Sequence, residues 1–334
     1  MTILVTGGAG YIGSHMVHEL VDAGEPVVVL DNLSTGFRFL VPGKVPFVAG
    51  STGDRELVAQ TLRRHGVTAI IHFAASIVVP DSVRDPLGYY SNNTMNTCAL
   101  LDVAIKAGVQ QFIFSSTAAV YGNAEQVPLR EDAPTAPISP YGSSKLMSEI
   151  MLHDAGTAYG LRFVVLRYFN VAGADPKLRT GQSSPAATHL IKVACEAALG
   201  KRPKIDVFGT DYPTPDGTCI RDYIHVSDLA RAHSAALAYL RRGGTSATFN
   251  CGYGHGASVF EVIDAVRRAS QRDFPVEIAG RRAGDPAALV AKVARIRSTL
   301  DWRPQFEDLD TIVAHALAWE RRLPGKRESV RPAI

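Results

Sequence analysis

Cysteine is scarce and scattered: Cys98, Cys195, Cys219 and Cys251 are the only four in 334 residues, and none forms a CxxC pair. Such spacing argues against a disulfide framework, offers no zinc-ligand set, and suits a reducing cytoplasm. The chain also lacks an uninterrupted apolar run of membrane length. At its start, a basic segment leading an apolar one into a cleavage site is missing too. A soluble cytoplasmic protein without a bound metal is therefore expected. Nor does one sign of charge dominate. Lys and Arg number 35 against 32 Asp and Glu, a net charge of +3, which is too even to suggest nucleic acid or a membrane surface as partner. The nearest thing to a basic cluster, Arg321, Arg322, Lys326 and Arg327, shares its segment with Pro324 and Glu328 and reads as a solvated tail. Internal repeats and low-complexity tracts are absent.

What is present is a long chain, 46% hydrophobic and 20% charged, sufficient for one large α/β domain and a smaller lobe. Short β-branched runs at 3–5, 27–30, 45–48, 69–72, 112–114 and 163–166 predict strands. Amphipathic stretches at 12–22, 57–65, 93–107 and 143–159 predict the helices between them. Alternation of this kind predicts a doubly wound parallel sheet with ligands at the carboxyl ends of its strands. After about Val171 the loops lengthen and gain Pro, Gly and charge. Helical patterns continue at 190–199, 228–240, 259–269 and 310–320, with a short strand at 248–251. The predicted division is a nucleotide-binding domain over 1–172 and a smaller mixed α/β substrate lobe over 173–334, some elements of which return to the first domain.

The first strand leads into Gly7-Gly8-Ala9-Gly10-Tyr11-Ile12-Gly13 and then a helix. Glycines at Gly7, Gly10 and Gly13 permit a tight turn, close approach of a pyrophosphate, and tight packing of helix on strand. The helix N-terminus offers N–H groups to phosphate. Asp31 ends the second strand, where a carboxylate can bond both ribose hydroxyls and repel a 2′-phosphate, so NAD is expected rather than NADP. A turn aspartate is the bland alternative for Asp31, and a structural turn for the glycines.

Further on, Tyr141 and Lys145 lie four residues apart at a helix start, so phenol and ammonium can share one face. A nearby cation favours phenolate and fits Tyr141 for general-base work. Lys145 could also hold the nicotinamide ribose. Thr117 ends the strand carrying Ser115-Ser116 and offers a hydroxyl to share the proton. A YxxxK string is common by chance, and its weight here comes from its place after the glycines, Asp31 and the Ser-Ser-Thr strand end.

Taken together these residues resemble the extended short-chain dehydrogenase/reductase family, and within it the UDP-glucose 4-epimerase branch. The likeness covers nearly the whole chain. It includes His72-Phe73-Ala74-Ala75, Val120-Tyr121-Gly122, Tyr168-Phe169-Asn170, and Asp211-Tyr212-Pro213-Thr214 with Asp216-Gly217-Thr218 and Arg221-Asp222-Tyr223-Ile224-His225-Val226. The resemblance implies a Rossmann-type fold, bound NAD and a homodimer paired through 93–107 and 143–159. It puts Tyr11 and Ile12 at the pyrophosphate, and Asn32, Ser34 and Thr35 with Asp31 around the adenosine ribose. Phe73, Ala74, Ala75, Asn93 and Phe169 line the cofactor. For the substrate it implies Asn170 at the diphosphate or sugar, and Leu190, Asp206, Val207 and Phe208 around uridine. Arg221 and Arg282 clamp the diphosphate, since guanidinium groups bond phosphate oxygens in pairs. Asp285 reaches a uridine ribose hydroxyl. Departures from the family pattern are Ser51 for the adenine-contacting Asp, Ile77 for a lysine near the cofactor phosphates, His189 for Asn before Leu190, and Leu289 at the position gating the sugar.

The reaction this implies is interconversion of UDP-glucose and UDP-galactose through a 4-keto sugar, a step of galactose metabolism. Related dehydratases carry Asp-Glu directly after the catalytic Thr. Here Ala118 and Ala119 stand there and cannot move protons. UDP-glucuronate and UDP-N-acetylglucosamine 4-epimerases need the same core residues and stay open. From a different class, a non-catalytic NAD-binding sensor would be expected to lose Tyr141 or Lys145, and both are kept.

Overall fold

A computed structural model describes residues 1–124, 126–184, 187–282 and 284–323; the tail residues Lys326 and Arg327 lie outside them. The first half supplies β1 (Thr2–Thr6), β2 (Val27–Asp31), β3 (Phe47–Ala49), β4 (Val67–His72), β5 (Gln111–Thr117) and β6 (Arg162–Tyr168). Seven of the eight later strands belong to small sheets: β7 (Asn170–Ala172), β8 (Ile205–Phe208), β9 (Ile220–Arg221), β10 (Tyr223–His225), then β12 (Ala257–Ser258), β13 (Val276–Ala279) and β14 (Ala288–Leu289). The eighth is β11 (Ala247–Cys251). The helices are α1 (Tyr11–Asp22), α2 (Arg55–His65), α3 (Val79–Arg84), α4 (Pro86–Tyr89), α5 (Asn96–Lys106) and α6 (Pro140–Tyr159). They continue as α7 (Leu190–Ala198), α8 (Val226–Arg241), α9 (Val259–Ser270), α10 (Ala294–Leu300) and α11 (Leu309–Arg322). No helix among the described residues is long and apolar enough to cross a membrane.

Seven strands form one parallel sheet in the order β11-β6-β5-β4-β1-β2-β3. Its central strands are apolar at consecutive positions because both faces are covered. Alternate side chains sort onto the two faces: Ile3 and Val5 pack with α1 and α8, while Leu4 packs with α2, α5 and α6. The chain leaves β1 for β2 and β3 on one side, then crosses back to β4 on the other. That reversal opens a crevice at the carboxyl ends of β1 and β4, where such sheets bind ligands. The doubly wound architecture expected from the sequence is the one observed.

Helix ends follow local chemistry. Asp54 caps α2 by accepting Leu57 N–H at 3.0 Å, and left-handed Gly66 (φ 59°) ends it. Ser139 caps α6, with Pro140 at its first position. One expected helix is modified. The stretch predicted as 93–107 begins with a widened π turn at 90–95, and regular α-helix starts only at Asn96. The strand predicted at 248–251 is β11. It completes the main sheet beside β6, with Phe249 opposite Leu166, while α8 packs on α1. The remaining later strands form the small sheets β10-β7, β12-β9-β14 and β13-β8, while α10 packs on β11 and α8.

Candidate active site

The loop after β1 is shaped by contacts that only glycine tolerates. Gly7 has φ +68°, and a Cβ there would stand 2.6 Å from the Ala74 nitrogen; one on Gly13 would stand 2.1 Å from the Gly7 carbonyl oxygen. Gly10 begins α1 with no side-chain cap, so the first-turn N–H groups of Tyr11, Ile12 and Gly13 stay available to an anion. Asp31 is buried at the end of β2. Its Oδ2 accepts Ala9 N–H at 2.9 Å and its Oδ1 accepts Leu33 N–H at 2.7 Å. Each oxygen keeps a lone pair for a ribose hydroxyl. Asn32, Ser34 and Thr35 are exposed beside it, and Ser51 lies just beyond β3, its Oγ accepting Gly53 N–H at 3.1 Å. A glycine cradle, an uncapped helix start and a carboxylate at the next strand end fit a dinucleotide such as NAD.

The opposite wall follows β4. Phe73 donates its N–H to the Thr6 carbonyl at 3.0 Å, and Ala74 and Ala75 continue the segment, partly exposed. Asn93, in the π turn, is almost wholly buried. Its Nδ2 donates to Ser76 O at 2.9 Å and to Ser144 Oγ at 3.0 Å, and its Oδ1 accepts Ser76 N–H at 2.7 Å. That side chain ties the segment after β4 to α6. Tyr11 is likewise engaged within the protein, donating to Gly173 O at 2.7 Å, so it offers a ligand its backbone rather than its hydroxyl.

Thr117 ends β5, and its Oγ1 accepts Ala119 N–H at 3.1 Å. Tyr141 stands on the first turn of α6, 7% exposed. Burial pushes its phenol up to about 12, against the opposing pull of a bond with the Thr117 hydroxyl. The sequence suggested a lowered value through Lys145. The structure differs because the ammonium of Lys145 is drawn to β5, donating to Ser115 O at 2.9 Å and lying 4.8 Å from the Phe114 ring centre. Burial pulls Lys145 itself down to about 8, opposed by the charge of Glu149. His72 bonds Thr6 Oγ1 at 2.6 Å and Thr97 Oγ1 at 2.9 Å, and burial followed by the Lys145 charge takes it down to about 3. It is a neutral strut.

Residues expected at the sugar nucleotide fall into two groups. The Arg282 guanidinium lies 3.6 Å from the Phe208 ring centre, and Arg221 is 3.6 Å from the Asp285 carboxylate. Leu289 is opposite Arg221 in the β14–β9 register and packs against the cluster holding Ala118, Leu129 and Phe169. Leu289 is thereby brought beside Ala118, the residue after Thr117. Asn170 opens β7, and with His189 and Leu190 it lines a small cavity. There His189 Nδ1 meets Gln182 Nε2 at 2.7 Å. The structure does not bring Asp206 and Val207 to the others through their side chains. Asp206 pairs with Lys204 at 3.1 Å on the surface, and Val207 is fully buried in the core.

Sequence reasoning missed a buried network behind the candidate catalytic residues. Arg167 donates to both Glu149 oxygens, with Nη2–Oε2 at 2.6 Å, and to Tyr121 Oη at 3.0 Å; Tyr121 in turn donates to Asn250 Oδ1 at 2.6 Å. Ser116 donates to Glu149. The available signal was Glu149, a charge on the inward helical face four residues after Lys145.

Fold and site together define a dinucleotide-binding α/β protein with a tyrosine, lysine and threonine gathered at one strand end. The chain belongs to the NAD dependent epimerase/dehydratase family, whose sequence model matches residues 3–252. A UDP-glucose 4-epimerase of Azospirillum brasilense is 61% identical over 96% of this chain and 92% of its own. The crystal structure of the Brucella ovis UDP-glucose 4-epimerase in complex with NAD is 45% identical, covers 95% of this chain and 97% of that one, and superposes with a TM-score of 0.93. That of the Bifidobacterium longum enzyme in complex with NAD+ and UDP is 36% identical, with coverage of 97% and 99% and a TM-score of 0.92.

Proposed function

We propose that this protein is an NAD-dependent UDP-sugar 4-epimerase that interconverts UDP-glucose and UDP-galactose through a transient 4-keto sugar. The observation that carries this reading is the gathering of Thr117, Tyr141 and Lys145 at the end of β5, followed by Ala118 and Ala119 in place of an acid pair. Gly7, Gly10 and Gly13 with the N–H groups of Tyr11 and Ile12 hold the pyrophosphate of NAD, and Asp31 its adenosine ribose, beside Asn32, Ser34, Thr35 and Ser51. Phe73, Ala74, Ala75 and Phe169 wall the nicotinamide end, and Asn93 fixes that wall. Bound NAD supplies the acceptor and donor of the C4 hydride, and its positively charged ring favours phenolate at Tyr141.

Tyr141 takes the proton of the sugar 4-hydroxyl, with Thr117 sharing the bond, and returns it after the ketone has turned. Lys145 steadies the phenolate and the nicotinamide ribose. With Ala118 and Ala119 beside the sugar, no side chain there moves a proton at C5 or C6, so elimination does not compete. Arg221 and Arg282 clamp the diphosphate. Phe208, Leu190 and Asp285 hold the uridine end, with Asp206 and Val207 contributing through backbone, and Asn170 and His189 meet the diphosphate or sugar. Leu289 borders the sugar. Strong binding at the nucleotide and loose binding at the sugar is what rotation of a ketone requires.

The division that serves this function is an NAD-binding domain over 1–172 and a sugar-nucleotide lobe over 173–334, with β11 and α8 returned to the first. The protein works in the cytoplasm, a reading supported by four unpaired cysteines. It pairs as a homodimer through the stretch 93–107 and α6, where Met95, Met147 and Ile150 lie exposed. Purified protein given UDP-galactose, UDP-N-acetylgalactosamine and UDP-galacturonate tests the reading. Turnover fastest on UDP-galactose supports it, and turnover of none of the three overturns it.

A further inference from the structure

Behind the catalytic residues, the carboxyl ends of β5, β6 and β11 are joined by charged and polar side chains that touch none of the groups assigned to ligands. Ser116, Arg167 and Asn250 occupy facing positions on those three strands. Glu149 enters from α6, one turn beyond Lys145, and is 2% exposed. It accepts from Ser116 and from three Arg167 nitrogen–oxygen contacts, at 2.6, 3.1 and 3.1 Å. Arg167 is satisfied further by Tyr121 Oη at 3.0 Å and Glu131 O at 3.3 Å. A buried ion pair seldom adds net stability compared with apolar packing, so its presence calls for another role.

We propose that Glu149 is a positioning residue for the reaction: clamped by Arg167 and anchored to Ser116, its carboxylate keeps Lys145 charged beside Tyr141. The inference rests on the epimerase reading of the same site. The surroundings of Lys145 leave the ammonium in need of such help. From β5 it meets the Ser115 carbonyl and the Phe114 ring; the neutral His72 lies near from β4, and Glu149 is one turn further along α6. Burial disfavours the ammonium, and the Glu149 charge opposes that loss. Arg167 holds the carboxylate in place by a paired fork. The same carboxylate bonds Ser116, which precedes Thr117, so the strand end and the lysine are set by one group.

The test uses the holoenzyme and compares Glu149→Gln with wild type in the pH profile of kcat/KM on UDP-galactose. Activity needs Lys145 protonated and is lost as pH rises through its pKa. Removing the anion lowers that pKa, so the basic limb moves toward acid by about one unit, with about tenfold lower kcat near the wild-type limb and KM unchanged. A loss equal at every pH, with the limb unmoved, overturns the proposal, since that is what a mere strut would give. If the single variant fails to fold around an unpaired guanidinium, Glu149→Gln/Arg167→Gln carries the same readout. Titration of 13C-labelled lysine, assigned with Lys145→Arg, separates the two readings without turnover. A shifted Lys145 titration in a protein that epimerises no UDP-sugar defeats the epimerase reading and leaves Glu149 acting on Lys145. An active wild type with neither limb nor titration moved by the variant defeats the proposal.

Discussion

Tyr141 is nearly fully buried, and its hydroxyl has a partner in that of Thr117 at the end of β5. Its phenol is held up to about 12 mainly by burial, so the base role proposed for it depends on added positive charge in the site. Tyr141→Phe keeps the ring packing and removes the hydroxyl. Epimerisation should fall by about a hundred- to ten-thousandfold while NAD stays bound. Near-normal turnover by a variant that still carries NAD would show that another group is the base. Leu289 poses a question of size. It packs beside Ala118 and Phe169, and leucine is smaller than tyrosine but larger than serine. UDP-galactose should be preferred, with weak activity on UDP-N-acetylgalactosamine. Leu289→Ser should raise the second activity relative to the first, and Leu289→Tyr should abolish it while sparing the first. The ratio of the two specificity constants in the three proteins decides. A constant ratio would remove Leu289 from the sugar pocket.

At the scale of the element, α6 carries two faces with separate tasks. Inward it presents Tyr141, Ser144, Lys145, Ser148 and Glu149, all buried, and outward Met147 and Ile150, which are exposed. Met95 ahead of α5 and Leu87 on α4 extend that apolar outer face. Exposed apolar side chains at helical spacing are the material of a two-fold interface. Met147→Glu with Ile150→Glu should convert a dimer into a folded monomer, because both side chains are solvated within one chain. Light scattering reads the mass directly, and circular dichroism checks the fold. A variant that still has twice the chain mass would place the interface elsewhere. The Arg221–Val226 run shows the opposite use of charge. Asp222, fully buried, accepts N–H bonds from Tyr253 at 2.8 Å and Gly254 at 3.0 Å, organising loops rather than meeting ligands.

For the whole molecule, buried imidazoles set a pH limit. Burial takes His15 and His233 down to about 4, His72 to about 3 and His225 to about 2. In the unfolded chain each regains an ordinary value of about 6.5. Below that value the unfolded state binds protons that the folded state refuses, so stability falls as pH falls. The stability these groups allow is fully present above about pH 6.5 and declines from there toward their folded values, at up to ~1.4 kcal/mol per pH unit for each group. Melting temperature followed from pH 7.5 to 5 should be level at first and then decline below about 6.5. A flat profile across that range would mean that these rings accept protons in the folded protein.

The sequence by itself determined whatever depends on near neighbours. Apolar runs of strand length between amphipathic stretches specify a covered parallel sheet. The Gly7-to-Gly13 spacing specifies a turn with no room for side chains. Tyr141 and Lys145, four apart, must share a helical face. Each is a local period or a local steric demand, and each is legible without knowing what packs against it. The tertiary structure alone decided the rest. That β11 lies beside β6 follows from a parallel pairing with no turn to announce it, because such strands are joined through distant connections. Leu289 and Phe169 are 120 residues apart in number and share a cluster only because β14 pairs with β9. Most plainly, the protonation of Tyr141 and Lys145 could not be read from their spacing. Spacing says that two groups share a face, but burial sets the cost of charge, and burial is a property of everything packed around them.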